Sequence, residues 1–144
     1  MANRIVHFEI EAKDAKRASK FYADAFGWEM DQQGPEMGNY VVVKTGENTG
    51  KMEDIGINGG IYEDSEKKLN AFSCVVGVED VDKAIADVRA AGGKVFEHNM
   101  DDKGHDMGEK IDIPTIGIYV KCEDTEGNKF TLLQPSPDMS QTKP

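Results

Sequence analysis

RIVHFEIEAKDAKRASKFYADAFG, residues 4–27, returns in outline as NAFSCVVGVEDVDKAIADVRAAGG, residues 70–93, displaced by 66 positions. The overlay pairs Val6 with Phe72, Phe8 with Cys74, Ile10 with Val76, Asp14 with Asp80, Ala18 with Ala84, Tyr22 with Val88 and Gly27 with Gly93. In each copy an alternation of period two meets an aspartate and becomes a spacing of three and four residues that stops at glycine. Each copy therefore predicts a strand, an N-cap, a helix and a glycine terminus. A duplicated βα plan sets the fold, and the seam between the copies is where a ligand is expected to sit.

Outward from this repeat, Val6, Phe8 and Ile10 point to the helix, while His7, Glu9 and Glu11 point away from it. Asp14 caps a helix whose Ala15, Ala18, Phe21, Tyr22, Ala25 and Phe26 form the apolar stripe. Strands are expected at 28–32, 39–45 and 55–62, with a Gly34-Pro35 turn after the first. The glycines of the last signal a bulge or a close backbone approach. The charged run 63–69 lacks apolar periodicity and reads as a linker. The second copy repeats the plan. Its strand is 71–78, its helix starts at Asp80 with Val81, Ala84, Ile85, Val88 and Ala91 buried, and strands follow at 94–97, 115–123 and 128–134. The class is α+β, with βαβββ twice. Module one is 4–63, the linker 64–70 and module two 71–135, together a single domain over 1–135 followed by a polar tail, 136–144.

Composition narrows the function. With 17 basic against 27 acidic residues the net charge is −10, which repels a nucleic-acid backbone unless basic residues cluster, and none do. No apolar run approaches the ~20 residues of a membrane span. The N-terminus enters the first strand without a basic and apolar leader, so a cytoplasmic protein is expected. Cys74 and Cys122 sit in apolar alternations and read as buried free thiols.

Val6-His7-Phe8-Glu9-Ile10, Asp14 with Arg17-Ala18 and Phe21-Tyr22, and Phe26-Gly27-Trp28 resemble the opening of a module in the vicinal oxygen chelate superfamily. That group includes glyoxalase I, bleomycin resistance proteins and extradiol dioxygenases. Val78-Glu79-Asp80-Val81-Asp82, Gly92-Gly93-Lys94-Val95, Ile113-Pro114 and Asp124-Thr125-Glu126-Gly127-Asn128 resemble the second module and a glyoxalase-like subgroup. The resemblance implies two paired βαβββ modules forming an open, barrel-like cleft, with His7 and Glu9 looking into it. It also implies a homodimer that binds a small molecule.

Metal-dependent members of that superfamily hold a divalent ion with a side chain from the first and the last strand of each module. The corresponding positions here are His7, Gly60 or Ile61, Ser73 and Thr131, the last standing where a glutamate is usual. Only His7 is a good ligand, so no cofactor and no metal are expected. His7 then has two readings: an imidazole hydrogen-bonded to Glu9 or Glu11, or a ligand-polarising group or general base. The candidate catalytic residues are His7 and Glu9. The candidate ligand contacts are Tyr40, Tyr62, Ser73, Tyr119, Lys121 and Thr131, with Trp28 as a further aromatic. The loop 98–110, with His98, Asp101, Asp102, His105, Asp106 and Glu109, reads as a mobile, solvated segment or a lid.

Three functions are compatible with this set. The chain is a glyoxalase-like lyase or isomerase on an oxygenated substrate, a non-catalytic ligand-sequestering protein of the antibiotic-resistance kind, or a regulatory domain that kept the scaffold without the chemistry.

Overall fold

The structure is a computed structural model that describes residues 3–47, 49–51, 54–66, 72–101 and 103–137. Most of the expected linker, Asp102 and the tail from 138 onward lie outside the described residues. The fold is α+β, and the chain forms two compact units. Val6–Ser73 makes the first, and Cys74 onward with the residues up to Ile5 makes the second.

The first unit runs β1 (Ile5–Ala12), α1 (Ala15–Phe26), β2 (Glu29–Gln32), a 3-10 turn at Pro35–Met37, β3 (Val41–Lys44) and β4 (Gly59–Glu63). Its strands lie in the order β2-β3-β4-β1, with β1 and β4 parallel and the other pairs antiparallel. The second runs β5 (Ser73–Gly77), α2 (Val81–Ala90), β6 (Lys94–Val95), β7 (Ile111–Ile113), β8 (Gly117–Glu123) and β9 (Lys129–Pro135). Its order is β6-β8-β9-β5, again with one parallel pair, β5 with β9. The repeat in the sequence is thus a repeat in topology. Short β7 also pairs with β8, so β6 and β7 share the edge that β2 occupies alone. The residues between them form the loop read above as solvated.

Matching chemistry starts both helices. Asp14 accepts from the Arg17 amide and Asp80 from the Lys83 amide, the N-cap bond expected of each. The last strand of each module adds a second acceptor: Glu63 takes the Ala15 N–H at 2.9 Å and Gln134 the Val81 N–H at 2.9 Å. These side chains satisfy amides that have no partner within the helix. Gly27 closes α1 in the left-handed conformation, at φ 74°.

Each module closes an apolar cluster between helix and sheet. The first holds Phe8, Ile10, Ala15, Val41, Val43 and Ile61, with Ala18, Tyr22 and Trp28 packed on it. The second holds Val78, Val81, Ile85, Val120, Cys122 and Leu132. The expected stripes are too wide. Phe21 is 58% exposed and Phe26 62% exposed, and Val6, Phe72 and Ala91 are also exposed. A four-stranded sheet covers only the part of α1 carrying Ala15, Ala18 and Tyr22. The remaining rings stack sideways on one another: Tyr22 lies parallel to Trp28 at 5.2 Å, and Phe21 meets Tyr22 edge-on at 5.0 Å. Residues 55–58 are not strand, and Ile55 stands exposed beside Gly56.

Candidate functional site

On β1 the face away from α1 carries His7, Glu9 and Glu11. The parallel register sets Glu9 beside Gly60 and Glu11 beside Tyr62 on β4. The same register resolves the choice between Gly60 and Ile61. Ile61 is fully buried in the core, so Gly60 is the residue on the His7 side.

Tyr40 arrives from the far edge of this surface. After the 3-10 turn, Gly38 and Asn39 both take left-handed conformations, and the Gln33 N–H donates to the Tyr40 carbonyl at 2.8 Å as β3 begins. From there the phenol crosses β4 over Gly60, where any Cβ would overlap the Tyr40 hydroxyl. Its oxygen lies 2.9 Å from His7 Nε2, and its hydroxyl donates to Glu9 Oε2 at 3.0 Å. The imidazole therefore reaches Glu9 through a phenol. The neighbouring Gly59 leaves room for Phe8 in the same way on the core side. The two glycines serve the close approach that their place in the strand signals.

Burial governs the electrostatics of this face. It pushes the His7 imidazole down to about 4, so the ring is neutral at neutral pH. Tyr62 donates to the buried Glu11 carboxylate at 3.4 Å. Burial first, then the carboxylates of Glu11, Glu9 and Asp64, holds its phenol well above the ordinary tyrosine range, so it stays a donor.

His7, Glu9 and Tyr40 thus form one hydrogen-bonded chain, with the Tyr62–Glu11 pair on the same face. The other candidates belong to different strands. Ser73 opens β5 and is half-buried. Lys121 on β8 pairs with Thr131 on β9, and Tyr119 pairs with Leu133. Thr131 is 7% exposed beside fully buried Val75. Trp28 is on the helix side, against Tyr22 and Phe8, and not beside His7. Glu11, which shares its alternation with His7 and Glu9, joins this face through Tyr62. An open groove of about 470 Å³ along α1, lined by Ile10, Arg17, Phe21, Tyr22 and Phe72, is also on the helix side.

The loop between β6 and β7 is better built than its composition suggested. Asn99 is buried and donates to the Phe96 and Gly108 carbonyls, at 3.1 and 2.7 Å. Asp106 accepts from the Asn99 and Gly108 amides and pairs with His98 at 2.6 Å, which raises the His98 pKa. These bonds give the loop internal support.

The donor set does not fit a divalent ion. Gly60 offers no donor, His7 Nε2 is engaged by Tyr40, and Ser73 and Thr131 offer neutral hydroxyls. Among the described residues no three His, Cys, Asp or Glu side chains are grouped to hold one.

Comparison with known proteins agrees with this fold. The family description "Bleomycin resistance protein-like N-terminal" matches residues 4–46. A "Glyoxylase-like domain-containing protein" of Didymella fabae is 28% identical over 133 residues, 90% of this chain and 91% of that protein. A Mycobacterium bovis protein, CFP32, is 28% identical over 69% of this chain, which spans 31% of its length. The Streptomyces coelicolor methylmalonyl-CoA epimerase has a TM-score of 0.59 at 18% identity, over 93% of this chain and 98% of its own. A hypothetical protein of Bacillus halodurans reaches 0.62 at 12% identity, with both chains fully covered. These structural likenesses define the class by its fold. The sequence matches are with glyoxylase-like and bleomycin-resistance-like proteins, so in sequence and in fold this chain is similar to members of the vicinal oxygen chelate superfamily.

Proposed function

We propose that this chain binds a small oxygenated organic molecule against the His7–Tyr40–Glu9 face and moves a proton on it, as a metal-independent isomerase or lyase. The observation that carries this reading is the hydrogen-bonded chain itself: a neutral imidazole and a carboxylate joined by one phenol on a half-buried sheet face. Such a chain can take a proton from carbon beside a carbonyl and return it. The epimerase neighbours suggest methylmalonyl-CoA as a first probe. A second reading, sequestration without turnover, draws on the bleomycin-resistance match, whose residues 4–46 include His7, Glu9 and Tyr40. The acidic balance of the chain suits the cationic ligand that this reading favours. A homodimer and a cytoplasmic location belong to the same proposal. Among the described residues no helix is long and apolar enough to cross a membrane.

The test is proton exchange. Methylmalonyl-CoA incubated with the protein in heavy water exchanges its acidic C–H on the first reading, and His7→Ala abolishes the exchange. No exchange, together with a thermal shift on adding bleomycin that His7→Ala removes, selects the second reading. Neither response from the folded protein contradicts both.

A further inference from the structure

The Tyr40 hydroxyl stands between two groups that each need a partner, and a phenol has one proton to give. The bond to Glu9 Oε2, at 3.0 Å, uses that proton. The 2.9 Å contact with His7 is then made by the imidazole, its Nε2–H donating to the phenol oxygen. We propose that Tyr40 is a positioning residue that fixes His7 as the Nε2–H tautomer, leaving Nδ1 as the atom that accepts a proton from substrate. This rests on His7 being the base and deepens that reading by naming the atom and the substrate class, a compound with a C–H next to a carbonyl.

The step balances without a co-reactant. The C–H bond breaks, its electron pair delocalises into the adjacent carbonyl as an enolate, and the proton passes to Nδ1. The imidazolium so formed keeps its Nε2–H bond to Tyr40, whose own proton remains on the Glu9 carboxylate side. Positive charge on the ring is thereby coupled to negative charge on Glu9 through one phenol. A hydrogen-bonded partner that orders and stabilises an imidazolium is how base histidines are generally supported. Reversal from Nδ1 returns the proton to the face it left, which exchanges it with solvent protons; inversion requires the enolate to turn its other face to Nδ1 before the proton returns.

Gly60 is part of the same device. It is the gap through which the phenol reaches β1 from the start of β3, and a Cβ there would occupy the position of the hydroxyl. Gly60→Ala should therefore act on His7 as Tyr40→Phe does, although Gly60 lies on β4 and Tyr40 just ahead of β3.

Nitrogen-15 spectra of the full chain labelled in histidine decide the matter. At pH 8 an ordinary imidazole is already neutral, so tautomer and charge are read separately. In the native protein His7 should show a protonated Nε2 and an unprotonated Nδ1. In Tyr40→Phe it should show averaged signals from both tautomers, and in Gly60→Ala the same averaging. Tyr62→Phe, which alters a phenol on the same face bonded to Glu11, should leave the His7 tautomer unchanged. If Gly60→Ala fails to fold, Tyr40→Phe, which keeps the ring, still decides. An Nδ1–H tautomer in the native protein, or the same His7 signals in native and Tyr40→Phe, overturns the proposal. These spectra need no substrate, so the two readings fail separately. Exchange without a fixed tautomer removes the role of Tyr40, whereas a fixed tautomer without exchange removes His7 as the base.

Discussion

His7 and Phe8 are neighbours in sequence and opposites in energetics. Phe8 is buried, packed on Trp28 and Phe72 at 5.9 and 5.8 Å, and replacing it with alanine should cost about 3–5 kcal/mol in a urea titration. His7→Ala should move the midpoint far less, because the ring lies on the sheet face away from the helix. The reverse order of losses would mean that the register of β1 is wrong by one residue. His7 also gives a pH signature. Its folded pKa of about 4 lies below the ~6.5 of an unfolded imidazole, so between these values the unfolded chain binds the extra proton. The stability tied to the neutral ring is complete above about pH 6.5 and is lost as the pH falls through about 4. His7→Gln should flatten that part of the stability profile; an unchanged slope would show the imidazole to be solvated. Alternation alone exposed His7 and Glu9 in the sequence. The partnership with Tyr40 was hidden because it joins residues 33 apart and depends on an absent side chain at Gly60.

Elements were legible where local chemistry decides them. Asp14, Asp80 and Gly27 mark helix ends by hydrogen bonds and backbone angles made within a few residues, and all three act as the sequence implies. The failures have the opposite cause. Strand β7 has only three residues, too few to show a period, and exists because β8 offers it an edge. Residues 55–58 carry apolar side chains in a strand-like order, yet Asn58 instead accepts from the Thr45 N–H at 2.8 Å and closes a loop. The second capping acceptors, Glu63 and Gln134, come from the far end of each module and had no local signature. Each should contribute on the scale of a side-chain cap. Glu63→Ala and Gln134→Ala are expected to cost roughly 0.5–2 kcal/mol each, and near-additively in the double variant because they serve different helices. Thermal denaturation of the four proteins checks this, and a loss near zero for both singles would show the helix starts to be satisfied by water instead.

At the scale of the whole molecule, the fold is similar to that of solved vicinal oxygen chelate structures, while three of the four positions that the resemblance assigns to a metal site carry poor ligands. The topology repeats in both units, and the sequence matches agree with it. The three positions are Gly60, Ser73 and Thr131; at the fourth, His7, the Nε2 is bound to a phenol. The expected dimer is tested by light scattering at tens of micromolar, where a mass near twice the 15.9 kDa chain is predicted and a monomer counts against it.

The central claim, an acid–base face that works without a metal, is tested most directly by thermal shift of the metal-stripped protein titrated with zinc, nickel, manganese and magnesium. An ion held by the native state at a hundred times its dissociation constant adds about 2.7 kcal/mol of stability, a rise in melting temperature that is readily measured. The account predicts no saturable rise that depends on His7. A saturable rise in the native protein that disappears in His7→Ala would contradict it.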